Sequence, residues 1–296
     1  MQAWRQQRAE RRLNAIPQVS PREAGRQYHI DLAPGEIADY ILLPGDPDRS
    51  DRIAEMLDEV EVHRRHREFN SVTGLHRGLR ISVVATGIGA DNVEIVIAEI
   101  LTISERKPTF IRIGSSGVLR EDIALGDLVI TTGAVRLEST TEYYVDDGYP
   151  AVADYSAVAA LLEASQRTGR PAHLGITATA PGFYAAQGRP HPALPPRYPD
   201  LADRMARQGV VNFEMEASAV LILAGLAGCR AGVVCTAFAQ RTQGVAVVGE
   251  QKDAAEASVI ETGLEALHVL AQMDEQRASS GEVHWRPSHW APEMAT

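Results

Sequence analysis

The stretch Thr109–Gly117 combines an arginine with small residues in a pattern that suits anion binding. Apolar residues flank Arg112 and predict a short buried strand, and a guanidinium cannot shed its proton to escape the cost of burial. The following Gly114–Gly117 offers backbone N–H groups and hydroxyls without bulky side chains. Two interpretations stay open here: an oxyanion or phosphate site, or a structural arginine paired with a carboxylate of the core.

Two further arginines could join Arg112 around one anion. Arg49 follows the turn Gly45–Asp48, which ends the predicted strand 39–44. Ligands of open α/β sheets collect outside the carboxyl ends of strands, which suits Arg49 and Arg112. Arg67 lies within a predicted meander and could instead reach out of its own subunit. A phosphate site requires Arg49 and Arg112 to point into one region without a fixed internal acid already neutralising each of them.

Two acids stand where an apolar strand turns into an apolar helix. Glu214 and Glu216 lie in the segment Asn212–Ile222. Acids at a helix N-terminus offset the helix dipole, which is a purely structural explanation for either one. A carboxylate can also bind both hydroxyls of a vicinal diol such as the ribose 2′,3′ pair. Two acids at one junction favour the sugar.

The loop Phe183–Arg189 carries an aromatic ring, an amide and a guanidinium. Gln187 presents one donor and one acceptor, enough to recognise an amide-like edge, and Arg189 can stabilise a departing oxyanion. Phe183 could stack on a ring. Arg241, just after a predicted buried strand, is a second cation of this kind.

Strands and helices alternate along the chain, which predicts a mixed or parallel sheet covered by helices. The predicted strands are 39–44, 60–66, 69–77, 79–86, 109–113, 126–132, 173–180, 210–213 and 230–238. Two predicted helices end near residues 57 and 105, and three more span 157–168, 215–226 and 254–273. We predict an extension at 1–27, one domain at 28–273 and a tail at 274–296. Trp4, Trp285 and Trp290 lie in the extension and tail, which either dock on a surface or form a partly disordered appendage.

Composition narrows the function classes. The chain has 296 residues and a net charge of −10, which disfavours nucleic acid as a partner because that binding needs a basic face. No apolar run reaches the length of a membrane span, and the N-terminus lacks the apolar region of a secretory signal. Cys229 and Cys235 suit buried thiols in a reducing compartment. No spacing predicts a metal site, and the predicted location is the cytoplasm.

Several motifs, taken together and in order, resemble the nucleoside phosphorylase family and its uridine phosphorylase branch. The resemblance runs from about His29 to about Gln272. The motifs are Leu43–Arg49, His66–Phe69, Thr86–Gly89, Arg112–Gly117, Gly126–Val129, Phe213–Glu216 and Arg241–Gln243. The resemblance implies a three-layer α/β/α fold with a mixed central sheet. It also implies the reversible reaction of a nucleoside with phosphate to give a base and ribose 1-phosphate.

The resemblance assigns a role to each candidate residue. Phosphate would be held by Gly45, Arg49, Arg112 and Ser115, with Arg67 donated by a neighbouring subunit. Ribose would be held by Met215 and Glu216, with His29 reaching the substrate of the neighbour. The base would be held by Phe183, Gln187, Arg189 and Arg241. Arg112, Glu216, Arg189 and Gln187 would carry the catalysis.

The resemblance also bears on which base is bound. Purine-specific relatives carry a Ser-Asp pair after the strand that follows the acidic helix, whereas Cys235–Arg241 contains no acid. The amide and arginines of the base-binding set match the pyrimidine branch instead, with uridine as the expected substrate. The alternatives are a purine nucleoside phosphorylase, a nucleosidase on the same fold, and a nucleoside-binding protein that has lost turnover.

Partners and cofactors follow from the same resemblance. The expected partners are a small nucleoside, phosphate as co-substrate and further copies of the chain. If Arg67 and His29 act across an interface, a dimer is the minimum active unit, and a hexamer of three dimers is compatible with it. No cofactor is expected for the chemistry. Asn92 replaces a Ser that helps bind an intersubunit monovalent cation in some relatives, while Glu68 and Ile88 remain, so the sequence leaves that cation open.

Overall fold

Apolar strands and amphipathic helices alternate through residues 25–290, the part of the chain that the computed structural model describes. The strands are β1 (Tyr40–Pro44), β2 (Glu59–His66), β3 (Phe69–His76), β4 (Leu79–Val84), β5 (Thr109–Val118), β6 (Leu128–Arg136), β7 (Ala151–Val152), β8 (Ala172–Thr179), β9 (Val210–Glu214), β10 (Arg230–Gln240) and β11 (Val245–Ala246). The helices are α1 (Pro47–Ala54), α2 (Ala90–Ile103), α3 (Tyr155–Arg167), α4 (Leu201–Arg207), α5 (Ala217–Leu226) and α6 (Glu250–Ser280). Short 3₁₀ turns cover Thr140–Tyr143, Ala185–Gln187 and Pro287–His289.

These strands form one mixed sheet with β5 at its centre. β5 pairs in parallel with β1 and β10 and antiparallel with β9. The strands β10, β6, β8, β9 and β5 are successive hydrogen-bonded neighbours, and because β10 also pairs with β5, this part of the sheet closes on itself. The remaining strands extend from β5 in the order β1, β4, β3, β2.

The neighbour of β5 changes partway along the strand. β1 pairs with it over Thr109–Ile113, and β9 pairs with it at Gly117 and Val118. Along Gly114–Ser116 the pairing found among the described residues is with β10 alone. The carboxyl ends of β1 and β9 therefore approach this interval from opposite directions. Such a change of neighbour is where open sheets commonly bind ligands.

Helices cover both faces of the sheet, as predicted. On one face the buried side chains of α2 and α5 form one core cluster with β1 and β10. On the other face α3 and α6 pack against β5, β6 and β10 in a second cluster. The result is the predicted three-layer α/β/α arrangement. None of the described helices is both long and apolar enough to cross a membrane.

Some predicted element ends are wrong. The closing helix was predicted at 254–273 but runs from Glu250 to Ser280. Its extra turns lack an apolar stripe, yet Asp274 anchors them to the sheet by accepting hydrogen bonds from Arg230 (2.6 Å) and Tyr40 (2.8 Å). The helix predicted from residue 215 begins at Ala217. Helix α4 was not predicted, because its short polar sequence lies beside the proline-rich loop.

The C-terminal tail docks on the α3–α6 face. Trp285 is buried in the core cluster there, and its indole N–H donates to the side chain of Gln276 at 2.8 Å. Trp290 packs edge-on against it, with ring centres 4.6 Å apart. For this pair the docking alternative is therefore correct, while Trp4 lies outside the described residues. The division into 1–27, 28–273 and 274–296 stays a prediction.

Candidate active site

Arg49 and Arg112, called here the first arginine pair, converge beside the interval where β5 changes its neighbour. Arg112 projects from β5, and Arg49 lies in the first turn of α1, which Pro47 begins directly after β1. The Nη1 atoms of both side chains point at the carbonyl oxygen of Ile113, at 3.0 Å from Arg112 and 3.4 Å from Arg49. Both side chains are buried. The two guanidiniums therefore occupy one region, as the prediction requires.

The glycines around Arg112 leave room for its side chain. A Cβ at Gly114 would lie 2.8 Å from Nη1 of Arg112, so a side chain at that position would displace the guanidinium. A Cβ at Gly45 would lie 4.0 Å from Nη2 of the same group. Ser115 is exposed between two buried residues. The predicted phosphate-binding residues of this subunit thus lie together where β1 ends.

Arg49 is already paired with an internal acid, contrary to our expectation. Its Nε donates to Oε1 of Glu256 at 2.8 Å, and Arg52 donates to Oε2 of the same carboxylate at 2.7 Å. Burial opposes ionisation of Glu256, but the hydrogen bond and charge of Arg49 outweigh it and lower the pKa of Glu256. The physical reason is that a buried guanidinium stays charged, so the fold supplies a counter-charge from α6.

Arg112 also has internal acids. Its Nη2 donates to Oε2 of Glu216, and its Nε lies 3.4 Å from Oε2 of Glu214. Burial alone would lower the pKa of Arg112, yet the two carboxylates outweigh it and the pKa is raised. The requirement stated for the phosphate site is therefore met only in part: the two guanidiniums share one region, but each already contacts an internal acid, so the expectation that they lack one is wrong. One of these acids, Glu216, is itself the predicted ribose-binding residue, so this pairing joins two parts of one site.

Glu214 and Glu216 differ in how their oxygens are used. Glu214 caps helix α5 from the preceding strand: Oε2 accepts the N–H groups of Glu216 and Ala217, both at 2.8 Å. Its Oε1 accepts the hydroxyl of Thr179 at 2.7 Å. Glu216 accepts from Arg112 on one oxygen and from the backbone N–H of Gly89 on the other, at 2.7 Å. The capping explanation therefore holds for Glu214, while Glu216 faces the interval along β5, next to half-buried Met215.

The predicted base-binding residues form a second cluster. Gln187 is 2% exposed, and its side-chain oxygen lies 3.4 Å from Nη2 of Arg189 and 3.3 Å from Nη1 of Arg241. Arg241 also donates to the backbone oxygen of Gln187 at 2.9 Å. The guanidinium of Arg189 lies 4.1 Å from the ring centre of Phe183, a cation–π distance. These four predicted residues are therefore brought together.

Arg189 and Arg241, called here the second arginine pair, have no carboxylate in ion-pair contact among the described residues. Burial lowers the pKa of Arg189. Burial, and then the positive charge of Arg189, lower the pKa of Arg241 to about 10. Both groups are still cationic at neutral pH. Among the described residues, the cluster therefore presents two positive charges that contact oxygens of Gln187 and an aromatic ring but no carboxylate.

One strand connects the two clusters. A Cβ at Gly117 of β5 would lie 3.1 Å from the side-chain carbons of Arg241 and 3.6 Å from Nη2 of Arg189. Gly114 of the same strand faces Arg112. Three residues of extended chain span about 10 Å. The two arginine pairs thus lie at the two ends of Gly114–Gly117, with Glu216 facing the same interval.

His29 and Arg67 lie elsewhere, on one surface with Tyr28 and His66. The guanidinium of Arg67 is 5.9 Å from the ring centre of Tyr28, and Nδ1 of His66 donates to the carbonyl oxygen of His29 at 2.9 Å. Within residues 25–290, no hydrogen bond or ion pair joins His29 or Arg67 to either arginine pair. The structure does not bring them into the site of their own subunit.

The position near Glu68 and Ile88, where the sequence leaves a monovalent cation open, fits an ion poorly. The side-chain nitrogen of Asn92 lies 3.3 Å from the carbonyl oxygen of Ile88 and donates to it. The same nitrogen would lie 2.8 Å from a Cβ at Gly87, whose neighbour at 3.5 Å is the stem of Glu68. An amide N–H thus already occupies one of the oxygens that a cation would need.

Sequence analysis missed Glu256 and Thr179 as parts of the site. A signal existed for Glu256, because Val259, Ile260 and Gly263 follow it at helical spacing and place it on the buried face of α6. An acid at such a position predicts a buried cation. No comparable signal marks Thr179, since a threonine in a strand is unremarkable.

The fold and the site define a three-layer α/β/α protein with a cationic crevice at the centre of its sheet, suited to a small anion and a polar ring. The family model described as the Phosphorylase superfamily matches residues 39–271. The chain therefore belongs to the phosphorylase superfamily, and the predicted family is confirmed.

Three named relatives match most of the chain. A uridine phosphorylase of Thermococcus kodakarensis is 43% identical over 268 residues, which cover 90% of this chain and 94% of the relative. A uridine phosphorylase of Escherichia coli is 33% identical, covering 73% of this chain and 87% of the relative. A guanosine phosphorylase of Halorubrum lacusprofundi is 32% identical, covering 77% and 88%.

A solved structure supports the fold. The Trypanosoma brucei nucleoside phosphorylase, whose crystal structure is described as showing uridine phosphorylase activity, superposes with a TM-score of 0.77. It is 26% identical, and the match covers 84% of this chain and 99% of that protein. The predicted nucleoside phosphorylase fold is confirmed.

Proposed function

We propose that this protein is a uridine phosphorylase, which converts uridine and phosphate reversibly into uracil and ribose 1-phosphate. The observation that carries the proposal is the placement of two arginine pairs at the two ends of Gly114–Gly117 with Glu216 between them. A nucleoside with phosphate beneath its sugar needs an anion site and a base site at about this separation. The uridine phosphorylases among the relatives support the choice of substrate.

Phosphate would bind at the first arginine pair, with the backbone of Gly45 and Ser115 as further donors. Because Glu256 and Glu216 already balance these arginines, phosphate competes with internal carboxylates instead of entering an uncompensated site. Recruitment of Glu216 by the ribose releases one guanidinium edge of Arg112 for the anion. Positioning of phosphate beneath the sugar then supplies much of the rate enhancement.

Ribose would lie between the clusters. Glu216 would accept the 2′- and 3′-hydroxyls, and Met215 would pack against the ring of the sugar. As the glycosidic bond lengthens, the sugar gains positive charge, which the Glu216 carboxylate and the phosphate below it stabilise. The bond to the base breaks, and a phosphate oxygen forms the new bond to C1′.

The base would lie at the second arginine pair. The departing uracil takes the bonding electrons and becomes an anion on its carbonyl and ring-nitrogen system. Arg189 and Gln187 would meet that charge directly, with Arg241 behind them and Phe183 against the ring. Two guanidiniums without a carboxylate suit an anionic leaving group better than a neutral ring.

The second candidate is purine phosphorolysis, which the guanosine phosphorylase among the relatives favours. Purine release is aided by an acid that protonates the ring, and Cys235–Arg241 has none. We therefore place uridine first. Phosphate-independent cleavage would indicate a nucleosidase, and binding without base release would indicate a protein that has lost turnover.

The active unit would be a dimer or a larger assembly of dimers, including a hexamer. The support is that His29 and Arg67 share one surface and, within residues 25–290, form no hydrogen bond or ion pair with either arginine pair. From that surface they would complete the ribose and phosphate sites of a neighbour.

The proposed chemistry uses no cofactor, since the side chains present supply each charge. The cytoplasmic location stays a prediction.

The test is base release from uridine, thymidine, 2′-deoxyuridine, inosine and guanosine, each with and without phosphate. We expect uridine to react fastest and only when phosphate is present. Faster turnover of guanosine or inosine would contradict the pyrimidine assignment. Release without phosphate would contradict phosphorolysis.

A further inference from the structure

Glu214 is the one member of the Arg112 cluster whose carboxylate is fixed on every side. Its side chain is 1% exposed. Oε1 accepts from Thr179, and Oε2 accepts two backbone N–H groups at the start of α5. Ligand hydroxyls could reach it only by displacing these donors. Glu214 is therefore not a ribose ligand, and its contact with Arg112 needs another explanation.

The donors of Glu214 are themselves held in place. The hydroxyl oxygen of Thr179 accepts the backbone N–H of Ser218 at 2.9 Å. The hydroxyl of Ser218 donates to Glu138 at 2.8 Å, and this second buried carboxylate also accepts from the N–H and hydroxyl of Thr141, at 3.0 and 2.6 Å. A chain of buried hydrogen bonds thus runs from Glu138 to Glu214, whose Oε2 forms an ion pair with Nε of Arg112. Such a network keeps Glu214 in one position.

Glu216, by contrast, is held by two groups that a ligand could replace. Its oxygens accept from Arg112 and from the N–H of Gly89. If Glu216 turned to the ribose hydroxyls, a buried Arg112 with no other acid would lose its counter-charge. Breaking a buried pair in this way is strongly unfavourable. Oε2 of Glu214, 3.4 Å from Nε of Arg112, remains in place during that exchange.

We propose that Glu214 is a positioning residue that supplies the permanent counter-charge of Arg112 and so frees Glu216 to bind ribose. The inference rests on the proposed function, because it assumes that Glu216 takes the sugar. Burial and the negative charge of Glu216 raise the pKa of Glu214, while the charge of Arg112 and the hydrogen bonds from Thr179 and the start of α5 act against that rise. The geometry assigns the charge: both oxygens accept hydrogen bonds, and Oε2 faces a guanidinium that cannot lose its proton. Without this charge, Glu216 stays with Arg112 and the nucleoside binds weakly.

The test is Glu214→Gln, which removes the charge and keeps a hydrogen-bonding group at both positions. The amide oxygen can accept the N–H groups of α5, and the bond to Thr179 reverses, with the amide nitrogen donating to the hydroxyl oxygen. We expect KM for uridine to rise about 10-fold, while KM for phosphate changes less than about 2-fold. The preference in kcat/KM for uridine over 2′-deoxyuridine should fall, because Glu216 contributes less to binding the 2′-hydroxyl.

Asp274→Asn is the matched control. It replaces a carboxylate of α6 that pairs with Arg230, the first residue of β10. This ion pair lies away from both arginine pairs. It should lower thermal stability and leave the ratio of the two KM values unchanged. Equal increases in the KM values for uridine and phosphate in Glu214→Gln would overturn the proposal. So would a rise in KM for uridine alone in Asp274→Asn.

Two further measurements test the proposal if Glu214→Gln does not fold or if the enzyme shows no turnover. If Glu214→Gln does not fold, Thr179→Val should shift KM for uridine in the same direction by a smaller factor, and Thr179→Ser should restore it. Calorimetric titration of uridine and 2′-deoxyuridine without phosphate tests nucleoside binding alone. A wild type that releases no base contradicts the proposed function. A wild type that binds uridine and a Glu214→Gln variant that binds it equally well contradict this inference.

Discussion

The two arginine pairs lie at opposite ends of the segment Gly114–Gly117 of β5, yet their charges are balanced in opposite ways. Arg49 and Arg112 each contact a glutamate supplied by the fold. Arg189 and Arg241 both donate to the side chain of Gln187, and Arg189 also lies against the ring of Phe183. The two guanidiniums repel each other. The first pair is thus part of the charge balance of the folded chain. The second pair is a local excess of positive charge.

This difference shows which ligand charge each end can receive. An anion entering at the first arginine pair must share it with Glu256 and Glu216, so binding there is an exchange of partners. An anion formed at the second arginine pair meets charges that have no competing carboxylate and are partly withdrawn from water. A pair of repelling cations lowers stability, and proteins keep such features where function uses them. We therefore expect loss of either pair to reduce activity, but only loss of the first to reduce stability.

Arg112→Ala should have the largest effect. It removes a predicted phosphate ligand and leaves two buried glutamates without their cation. We expect kcat/KM for uridine to fall by about 10³-fold and the free energy of unfolding to fall by about 3–5 kcal/mol. Steady-state kinetics and urea denaturation measure the two losses.

Arg230→Lys provides the control for substitution of a half-buried, paired arginine outside the site. Arg230 pairs with Asp274 and Thr109 at the opposite ends of the strands. This variant should lose stability while the folded enzyme keeps kcat/KM within about 2-fold of wild type. Near wild-type phosphorolysis by Arg112→Ala would show that the phosphate site is elsewhere.

Glu256→Gln should mainly affect stability. It leaves Arg49 with only Ile113 and a neutral amide as partners, so we expect the free energy of unfolding to fall by about 3 kcal/mol. Phosphate should restore more stability to the variant than to wild type, because the anion can replace the missing charge. Thermal unfolding with and without phosphate measures this. An equal phosphate effect in both proteins would contradict a shared site for Arg49 and the anion.

Acid should reduce the difference between Glu256→Gln and wild type. The pKa of Glu256 is lowered in the folded state from 4.5, the ordinary value. Its contribution to stability is therefore complete above that ordinary value and is lost as pH falls through the lower, folded-state pKa. Protonated Glu256 resembles glutamine in charge, so the two proteins should converge in stability at low pH. Denaturation at pH 7 and near pH 3 tests the sign, and a gap that widens in acid would contradict it.

Arg189→Ala should separate activity from stability. We expect kcat to fall about 10²-fold, because one donor to the leaving base is lost. Thermal stability should stay constant or rise, since repulsion with Arg241 disappears. Phe183→Leu serves as the comparison, because it keeps both charges and changes only the ring contact. A stability loss as large as that of Arg112→Ala would remove the distinction between the two pairs.

The sequence predicted the architecture because apolar strands and glycine turns are local signals. The prediction that Arg112, Glu216 and Gln187 share one site came from the resemblance carried by the order of the motifs, and their catalytic roles stay a prediction. The charge balance was not predicted, because Glu256 is far from Arg49 along the chain and meets it only through the packing of α6. The different uses of Glu214 and Glu216 also depend on tertiary hydrogen bonds that no spacing encodes.

The smallest expected effect concerns the monovalent cation. The amide nitrogen of Asn92 donates to the carbonyl oxygen of Ile88, an oxygen that an ion near Glu68 would need. We therefore expect rates in potassium, sodium and a bulky organic cation to agree within about 2-fold at equal ionic strength. The melting temperature should be equally insensitive.

Asn92→Ser removes the donor and adds a hydroxyl oxygen, so this variant should gain stability from potassium but not from the organic cation. A wild type that potassium activates and stabilises severalfold more than the organic cation would show that the amide does not replace the ion. The cation site would then be a second location, besides the first arginine pair, where charges are balanced within the enzyme before substrate binds.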